Sequence, residues 1–329
     1  MRTPNFWYDK ESLVSKSLAP VAFIWKTCAY IKKISSNTSS MQIPVIKVGN
    51  IVIGGAGKTP VVISIAKRLI NFKIKVHIIS KGYKGSIKET TRVNNLVHNF
   101  YDVGDEALLL SEIAPTWIGK NRIDSIKAAQ KKGAEIVILD DGLQDHTIKG
   151  DLNIIVFNGF QGIGNGKIIP AGPLREPISW ALRDNHLAII VEEDKKEIYK
   201  KLSNTFPILK AKVTINNSVQ KKLLNKRILA FCGLGYPEKF YEFLKELGCI
   251  ITSRKTFPDH HVYSEKTLEN LLNESKNLDS CLVTTQKDHV KIIKKYRNKI
   301  FSFPIDIKIS DYATLDSMIY STINMKNKK

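Results

Sequence analysis

A glycine-rich turn near residue 54 carries the residue types best suited to chemistry. It lies between a short apolar run and an apolar helical pattern, and it consists of Gly54, Gly55, Ala56, Gly57, Lys58, Thr59 and Pro60. Its glycines let backbone amides approach phosphate oxygens, and the N-terminus of the following helix favours negative charge. Lys58 can reach the β- and γ-phosphates of a nucleotide, and the Thr59 hydroxyl can bind Mg²⁺. The turn therefore predicts a nucleoside triphosphate site, although Val52 stands where the usual motif begins with glycine. An ordinary strand-to-helix turn is the alternative.

Two carboxylates follow a second apolar run. Residues 136–139 are Ile-Val-Ile-Leu, and Asp140 and Asp141 come next. A buried strand that ends in acids has the form of a Walker B element, whose carboxylate binds or orients Mg²⁺ beside the nucleotide. Such strand ends also form the ligand-binding edge of open α/β sheets. Both acids are therefore candidate metal ligands, although two acids can also simply begin a surface turn.

Two acidic clusters are candidates for proton transfer to or from a phosphate acceptor. Asp105, in Gly104-Asp105-Glu106, precedes an apolar helical pattern, where an acid can also serve as a helix cap. Asp259 beside His260 is typical of the Asp–His pairs that organise proton transfer, but such residues can equally lie in a polar loop.

A long stretch of glycine and proline at residues 162–177 is a third candidate. Long rigid loops of this composition are often functional. Within it, Arg175 can offset phosphate charge and Glu176 can bind a metal ion.

The elements that must position these residues follow an alternating pattern. Apolar runs at 43–48, 76–80, 116–119, 136–139, 152–157 and 187–191 predict strands, and helical patterns at 59–71, 106–113 and 123–132 lie between them. This alternation predicts an α/β fold of the P-loop NTPase type, with a mostly parallel sheet and helices on both faces.

The same pattern divides the chain into three parts. Residues 1–42 are expected to form an N-terminal amphipathic helical segment, 43–215 a P-loop kinase domain and 216–329 a smaller second α/β domain that contributes to the active-site cleft. Polar, lysine-rich residues at 192–226, interrupted by an apolar stretch at 206–213, are interpreted as the link between the two domains. In the second domain, strands are expected at 227–232, 281–284 and 300–305, with helices at 238–247, 265–275 and 312–323.

The chain is strongly basic, with 51 Lys and Arg against 31 Asp and Glu among its 329 residues, a net charge of +20. Nucleic acid, an anionic membrane or an anionic substrate would each fit this charge, as would a compositional drift towards lysine. Because no nucleic-acid-binding motif is present, we expect no nucleic acid partner. The four scattered cysteines suit a reducing compartment rather than a disulfide scaffold.

The first 33 residues combine aromatic, apolar and basic side chains at helical spacing. The longest apolar run, residues 18–25, is far shorter than the roughly 20 residues that span a bilayer. A helix of this kind can lie in the membrane interface, or it can pack on the domain as an ordinary helix. Pro20 is expected to break or kink it.

Taken together, these motifs resemble the tetraacyldisaccharide 4'-kinase family, the lipid A 4'-kinases. The resemblance rests on stretches that run in family order over both domains, namely Val48-Gly49-Asn50, Gly54 to Pro60, Lys81-Gly82-Tyr83, Gly104-Asp105-Glu106, Asp140-Asp141-Gly142-Leu143-Gln144, Gly164-Asn165-Gly166, Pro170 to Pro177, Asp259-His260 and Thr284-Thr285-Gln286-Lys287-Asp288. A missing first loop glycine is usual in this family.

The resemblance implies a reaction and a place. ATP would phosphorylate the 4'-hydroxyl of a tetraacylated glucosamine disaccharide 1-phosphate, giving lipid IVA at the cytoplasmic face of the bacterial inner membrane. The enzyme would be peripheral, with the lipid A precursor and an anionic membrane surface as partners, and no obligate protein partner is evident. A P-loop kinase for another membrane sugar lipid and a nucleotide-dependent membrane-associated switch that transfers no phosphate remain as alternatives.

The resemblance also implies roles for the candidate residues. Asp105 would be the base for the sugar hydroxyl, with His260 as its partner, and Lys58 and Arg175 would lie near the transferring phosphate. The implied Mg²⁺ ligands and surrounding acids are Thr59, Gln144, Glu176, Asp140 and Asp141, and the implied contacts to the acceptor are Tyr83 and Arg122.

Three positions depart from the family pattern. Lys81 stands where arginine is common, and Asp145 stands directly after Gln144 where histidine is common. Gln286 replaces the more usual glutamate, which leaves one charge fewer.

Overall fold

Strands of two sheets organise the computed structural model, which describes residues 4–181, 186–202, 206–215 and 217–327. In chain order the strands are β1 (Val45–Gly49), β2 (Val76–Ser80), β3 (Thr91–Arg92), β4 (Thr116–Ile118), β5 (Ile136–Asp140), β6 (Leu152–Asn158), β7 (His186–Val191), β8 (Ile208–Thr214), β9 (Arg227–Cys232), β10 (Ile250–Thr256), β11 (Cys281–Thr285), β12 (Phe301–Phe303) and β13 (Asp306–Ile309).

Helices connect most of these strands. After a short 3₁₀ turn at Asn5–Tyr8, they are α1 (Leu13–Ser17), α2 (Ala19–Ile34), α3 (Lys58–Asn71), α4 (Phe100–Val103), α5 (Asp105–Ser111), α6 (Arg122–Lys131), α7 (Ile178–Ala181), α8 (Ile198–Leu202), α9 (Asn217–Leu223), α10 (Glu238–Glu246), α11 (Glu265–Asn277), α12 (Gln286–His289), α13 (Lys294–Arg297) and α14 (Tyr312–Asn327).

The larger sheet has the order β13-β8-β7-β6-β1-β5-β2-β4-β3 and is parallel except at its two outer pairs. Every residue of β1, β2 and β5 is buried, as expected for apolar strands covered by helices on both faces. The fold class predicted from the sequence is confirmed. Because β1 lies between β5 and β6, the glycine-rich turn after β1 and the acids after β5 meet at one sheet edge.

The smaller sheet has the order β10-β9-β11-β12 and is parallel throughout. Helices cover it on both sides. One hydrophobic cluster joins Phe240 and Leu244 of α10 to the sheet, and another joins Leu268 and Leu271 of α11 to its opposite face. This sheet holds the loop that carries Asp259 and His260.

The end of the chain differs from the sequence prediction. Residues 300–305 are predicted as one strand of the second unit, but Pro304 separates β12 from β13. Strand β13 pairs antiparallel with β8 in the larger sheet, and α14 contributes Leu315 and Ile319 to the core of that sheet. The chain therefore returns to the first unit, because a proline interrupts the smaller sheet's hydrogen bonding at this point.

The predicted link at residues 192–226 also differs from the structure. Strand β8 lies inside this range and pairs with β7, so part of the range extends the larger sheet. Lysines at alternate positions of β8 are exposed on the sheet. These lysines made the segment resemble a polar linker in the sequence.

The N-terminal segment is helical, and Pro20 lies in the first turn of α2, so the expected break falls between α1 and α2. Helix α2 buries Ala22 and leaves most of its large apolar side chains exposed. Of the helices in the described part of the chain, none combines the length and the apolar character needed to cross a bilayer.

Candidate functional site

The glycine-rich turn forms a cradle at the start of α3. Gly57 precedes the helix at φ +85° and Gly54 lies at φ +123°, conformations that side chains rarely adopt. The Lys58 ammonium donates a hydrogen bond to Asn50 Oδ1 at 3.0 Å and lies 3.4 Å from Asp141 Oδ1. The turn thus presents backbone amides, a helix N-terminus and a cation in one place, as a phosphate site requires.

The two acids after β5 have different environments. Asp140 is almost fully buried, and its Oδ1 has no hydrogen-bond partner in the structure. Burial raises its pKa, the negative charge of Glu106 raises it further and the Lys58 charge opposes both. Asp141 lies in a left-handed turn at φ +49°. Burial opposes its ionisation, but the charges of Lys58 and Arg175 hold its pKa below the ordinary value.

Arg175 reaches this cluster from the glycine- and proline-rich loop. Its backbone amide donates to Ile51 O at 2.8 Å, which ties the loop to the segment after β1. Its guanidinium lies 3.3 Å from the Asp141 carboxylate and 3.3 Å from Gln144 Oε1. Gln144 in turn donates to Glu176 Oε1 at 3.0 Å. The structure therefore brings these predicted residues together around the P-loop.

Arg122 is buried, and its guanidinium already has partners within the protein. Its guanidinium donates to the backbone carbonyl of Asp140 at 2.6 Å and lies 3.4 Å from Asp145 Oδ2. It thereby fixes the turn that carries Asp140 and Asp141. Its Nε is buried and has no hydrogen-bond partner. Contact with the substrate stays a prediction for this residue.

Asp105 and His260 come from different units and meet directly. Asp105 begins α5 and is 5% exposed, and its Oδ2 lies 2.8 Å from His260 Nδ1. The Glu106 amide donates to Asp105 Oδ1 at 2.9 Å. Tyr83 is largely exposed, and its ring lies edge-on to that of His260 at 5.7 Å. The pairing that the family resemblance implied is thus present in the geometry.

Several forces act on the Asp105 carboxylate. Burial favours its neutral form, but the hydrogen bond from His260 and the positive charge of Lys287 outweigh it and lower the pKa of Asp105. The carboxylate is therefore ionised at neutral pH, which a proton acceptor must be.

The donor atoms around Asp140 suit a hard cation. Thr59, Asp140, Asp141, Gln144 and Glu176 offer only hydroxyl, carboxylate and amide oxygens, the ligands that Mg²⁺ prefers. Asp140 Oδ1 is buried without a partner and fits such an ion. Among the residues described, no group of three acidic, histidine or cysteine side chains is arranged to hold a metal alone.

A contact that sequence reasoning missed joins the N-terminal segment to the glycine- and proline-rich loop. Trp7 Nε1 donates to Pro170 O at 2.9 Å, and the buried Ser15 donates to Ala171 O at 2.7 Å. Asn165 donates through its backbone amide to Trp7 O at 2.7 Å and through its side chain to Ser15 Oγ at 3.0 Å. The Gly164-Asn165-Gly166 motif marked this loop in the sequence. It could not indicate which residues Asn165 binds, because they lie some 150 residues away.

Known proteins match this chain over nearly its whole length. A family model described as tetraacyldisaccharide-1-P 4'-kinase matches residues 14–324. A protein named tetraacyldisaccharide 4'-kinase from Rhodospirillum centenum is 36% identical and the match covers 99% of this chain and 98% of that protein. The chain belongs to the tetraacyldisaccharide 4'-kinase family.

Two further proteins agree with this assignment. A tetraacyldisaccharide 4'-kinase from Paramagnetospirillum magneticum is 38% identical over 91% of this chain and 92% of that protein. A crystal structure of the Aquifex aeolicus enzyme LpxK in complex with ATP superposes with a TM-score of 0.79 at 27% identity, covering 94% of this chain and all of that one. Membership of the 4'-kinase family, which the sequence motifs indicated, is confirmed.

Proposed function

We propose that this chain transfers the γ-phosphate of ATP to the 4'-hydroxyl of a tetraacylated glucosamine disaccharide 1-phosphate, giving lipid IVA, with Asp105 as the base. The observation that carries the base assignment is the 2.8 Å contact between Asp105 Oδ2 and His260 Nδ1. Family membership supports the acceptor. The ATP in the related crystal structure supports the nucleotide.

The phosphate groups would lie against the glycine-rich turn. Its amides and the N-terminus of α3 offset negative charge, and Lys58 and Arg175 add two cations that now contact Asp141. Phosphoryl transfer depends on alignment and on charge stabilisation rather than on covalent help from the protein. Lys58 and Arg175 are therefore the residues expected to stabilise charge as the γ-phosphate moves.

A Mg²⁺ ion would be held by Asp140 and by oxygens of Thr59, Asp141, Gln144 and Glu176, together with the nucleotide. When bound it supplies charge neutralisation and alignment of the phosphate oxygens. In the described conformation the amide oxygen of Gln144 faces Arg175 rather than Asp140. Gln144 would therefore need to give up this contact to become a ligand.

The transfer step uses Asp105 as proton acceptor. The 4'-oxygen forms a bond to the γ-phosphorus while the bond to the bridging oxygen of ADP breaks, and the hydroxyl proton passes to the Asp105 carboxylate. An isolated aspartate is a weak base for an alcohol, since its usual pKa is about 3.9. Asp105 can act as the base when the hydroxyl proton is transferred late in the reaction, as the new P–O bond forms and the hydroxyl becomes more acidic. Exposed Tyr83, beside His260, is a suitable surface for the sugar ring.

The N-terminal segment would rest on an anionic membrane, which would place the enzyme at the cytoplasmic face of the inner membrane. Its exposed apolar side chains include Leu13, Phe23, Ile24 and Ile34, and lysines lie among them. Large exposed apolar patches mark interaction surfaces, and a basic amphipathic helix of this kind can lie in the lipid interface. Such a surface suits an enzyme with a lipid acceptor, because the acyl chains of the acceptor lie in the membrane.

The base assignment is tested by Asp105→Asn. We expect kcat with the lipid acceptor in detergent micelles to fall by about a hundredfold or more, the usual scale for a general base. The Kd for ATP should stay the same, because Asp105 lies in a different loop from the phosphate cradle. Thin-layer analysis of the labelled lipid product measures the rate, and Asp124→Asn, an exposed acid on α6, is the matched control. Near-normal kcat in Asp105→Asn contradicts the assignment.

A further inference from the structure

A third side chain extends the Asp105–His260 pair. Lys287 Nζ lies 3.2 Å from His260 Nε2, on the ring nitrogen opposite the one that faces Asp105. The three groups therefore form a line from carboxylate through imidazole to ammonium. Lys287 belongs to the Thr284-Thr285-Gln286-Lys287-Asp288 run, and phosphoryl transfer as described above leaves it without a role.

Hydrogen-bond chemistry gives this line one consistent proton arrangement. A lysine ammonium can only donate, so His260 Nε2 must accept from Lys287. His260 Nδ1 must then carry the single ring proton and donate it to Asp105 Oδ2. A second proton on Nε2 would face the ammonium at 3.2 Å. The Nδ1–H tautomer of the imidazole therefore satisfies both contacts, with Nε2 as acceptor and Nδ1–H as donor.

Buried contacts fix the position of Lys287. It lies on the short helix α12, which Thr285 caps through a hydrogen bond from the Asp288 amide to its hydroxyl. The neighbouring Asp288 is completely buried and accepts hydrogen bonds from the Gly233 amide at 3.0 Å and from Tyr263 at 3.0 Å. The buried Lys291 lies 2.8 Å from the same carboxylate. This network anchors α12 beside the loop that carries His260.

Charged groups on α5 and on the His260 loop face Lys287. Its Nζ lies 3.7 Å from Glu106 Oε1 on α5 and 3.8 Å from Asp259 Oδ1 in the His260 loop. Asp259 Oδ1 is also 3.9 Å from His260 Nε2. These carboxylates hold the ammonium at the ring, and because a carboxylate only accepts hydrogen bonds, Lys287 is the donor to Nε2.

We propose that Lys287 is a positioning residue that fixes the tautomer of His260 and thereby keeps Asp105 ready to accept the proton of the acceptor hydroxyl. The inference rests on the proposed role of Asp105 as the base. The same contacts also keep the Asp105 carboxylate ionised, so that it is free to accept a proton. Burial tends to raise the pKa of Asp105, but the His260 hydrogen bond, the Lys287 charge and the Lys291 charge lower it.

The tautomer is tested directly by ¹⁵N NMR of the histidine side chains in the full-length native chain. The chain has seven histidines, so His260→Gln identifies the His260 signals by their loss. At neutral pH we expect Nδ1 to carry the proton and Nε2 to carry none. In Lys287→Met a protonated Nε2 should appear. A native His260 that carries its proton on Nε2 overturns the proposal, whatever the activity.

Kinetics tests the consequence. Lys287→Met should lower kcat at neutral pH by about tenfold, the lower end of the effect of outer partners that orient functional histidines. The KM for ATP should not change. Loss of the Lys287 charge raises the pKa of Asp105, so the base loses its ionised form at a higher pH and the low-pH limb of kcat moves upward. Lys287→Arg should restore part of kcat and of the limb, because it keeps the donor and the charge. A simple packing defect would not move the limb.

Two comparisons separate this proposal from the base assignment. Lys266→Met, an exposed lysine on α11, should leave kcat and its pH dependence unchanged. If Asp105→Asn loses kcat while Lys287→Met keeps the native rate and the native low-pH limb, the role of Lys287 is wrong and the base assignment stands. If Asp105→Asn keeps kcat, the base assignment itself is wrong.

Discussion

The indole nitrogen of Trp7 donates a hydrogen bond to the backbone carbonyl of Pro170 at 2.9 Å. This contact joins the segment that exposes apolar side chains to the loop that carries Arg175 and Glu176. Further along, Trp25 Nε1 lies 3.3 Å from the carbonyl of Arg175 itself. The N-terminal segment therefore does more than cover the domain, because two of its tryptophans bind the backbone of the loop that carries Arg175 and Glu176.

Trp7→Phe is expected to weaken the attachment of the N-terminal segment to the loop, while an aromatic side chain remains at this position. Phenylalanine keeps an aromatic ring at this position, but it is smaller than tryptophan and leaves the Pro170 carbonyl without its donor. The lost packing and the lost, partly buried hydrogen bond together cost about 1–3 kcal/mol. We expect the free energy of unfolding to fall by about that amount and kcat to fall several-fold, since Arg175 is held less precisely. Urea unfolding and the lipid phosphorylation assay measure the two effects.

Tyr8→Phe is the matched control, because it removes a polar group from an exposed aromatic side chain one residue away. It should change neither quantity. A Trp7→Phe enzyme that loses stability but keeps the native kcat would show that the contact supports the fold and not the position of the loop.

The parts of the site that are local in sequence could be predicted from it. Gly54 to Thr59 and Asp140 with Asp141 follow apolar strands, and strand ends in a parallel sheet share one edge. Their meeting around the nucleotide thus follows from pattern and topology. The pairing of Asp105 with His260 followed only from the family resemblance, since 155 residues separate them and no periodicity links them.

Other relationships had no local signal. The Trp7–Pro170 hydrogen bond spans 163 residues, and nothing in the sequence shows which carbonyl the indole nitrogen binds. Strand β13 has four residues, and only its distant partner β8 shows that it leaves the smaller sheet. Lys287 lay in a recognised motif, but its proximity to His260 depends on the order of the strands in the smaller sheet, where β9 lies between β10 and β11. Tertiary packing decides such contacts, and sequence patterns do not report it.

The exposed apolar side chains of α2 predict a measurable affinity for membranes. Phe23 is 68% exposed and Ile24 is 62% exposed. Burial of an apolar side chain of this size in lipid contributes about 1.5–3 kcal/mol. The double variant Phe23→Ser, Ile24→Ser should therefore reduce binding to vesicles of phosphatidylglycerol and phosphatidylethanolamine by at least about tenfold. Co-sedimentation with the vesicles measures the bound fraction.

Leu96→Ser is the control for that experiment. Leu96 is 83% exposed but lies in the loop before α4 rather than on α2. It should leave vesicle binding unchanged. Equal binding by the native chain and the α2 double variant would contradict a membrane role for the segment.

Lys47 predicts a pH dependence of stability. Its side chain is buried within the larger sheet and donates to Asp145 O at 2.7 Å, and burial lowers its pKa to about 8. In the unfolded chain a lysine has a pKa of about 10.4, so between these values the unfolded chain binds more protons than the fold. The Lys47 contribution to the free energy of unfolding should therefore rise with pH across this window. Lys47→Met removes the contribution.

Urea unfolding of the native chain and Lys47→Met at about pH 7.5 and pH 9.5 checks this sign. The native chain should gain about 1–2 kcal/mol relative to Lys47→Met between the two conditions, since one pH unit corresponds to at most about 1.4 kcal/mol per group. Lys127→Met, an exposed lysine on α6, should show no such change, because its ammonium is solvated in both states. A constant difference between the native chain and Lys47→Met would mean that Lys47 ionises in the fold as it does in water.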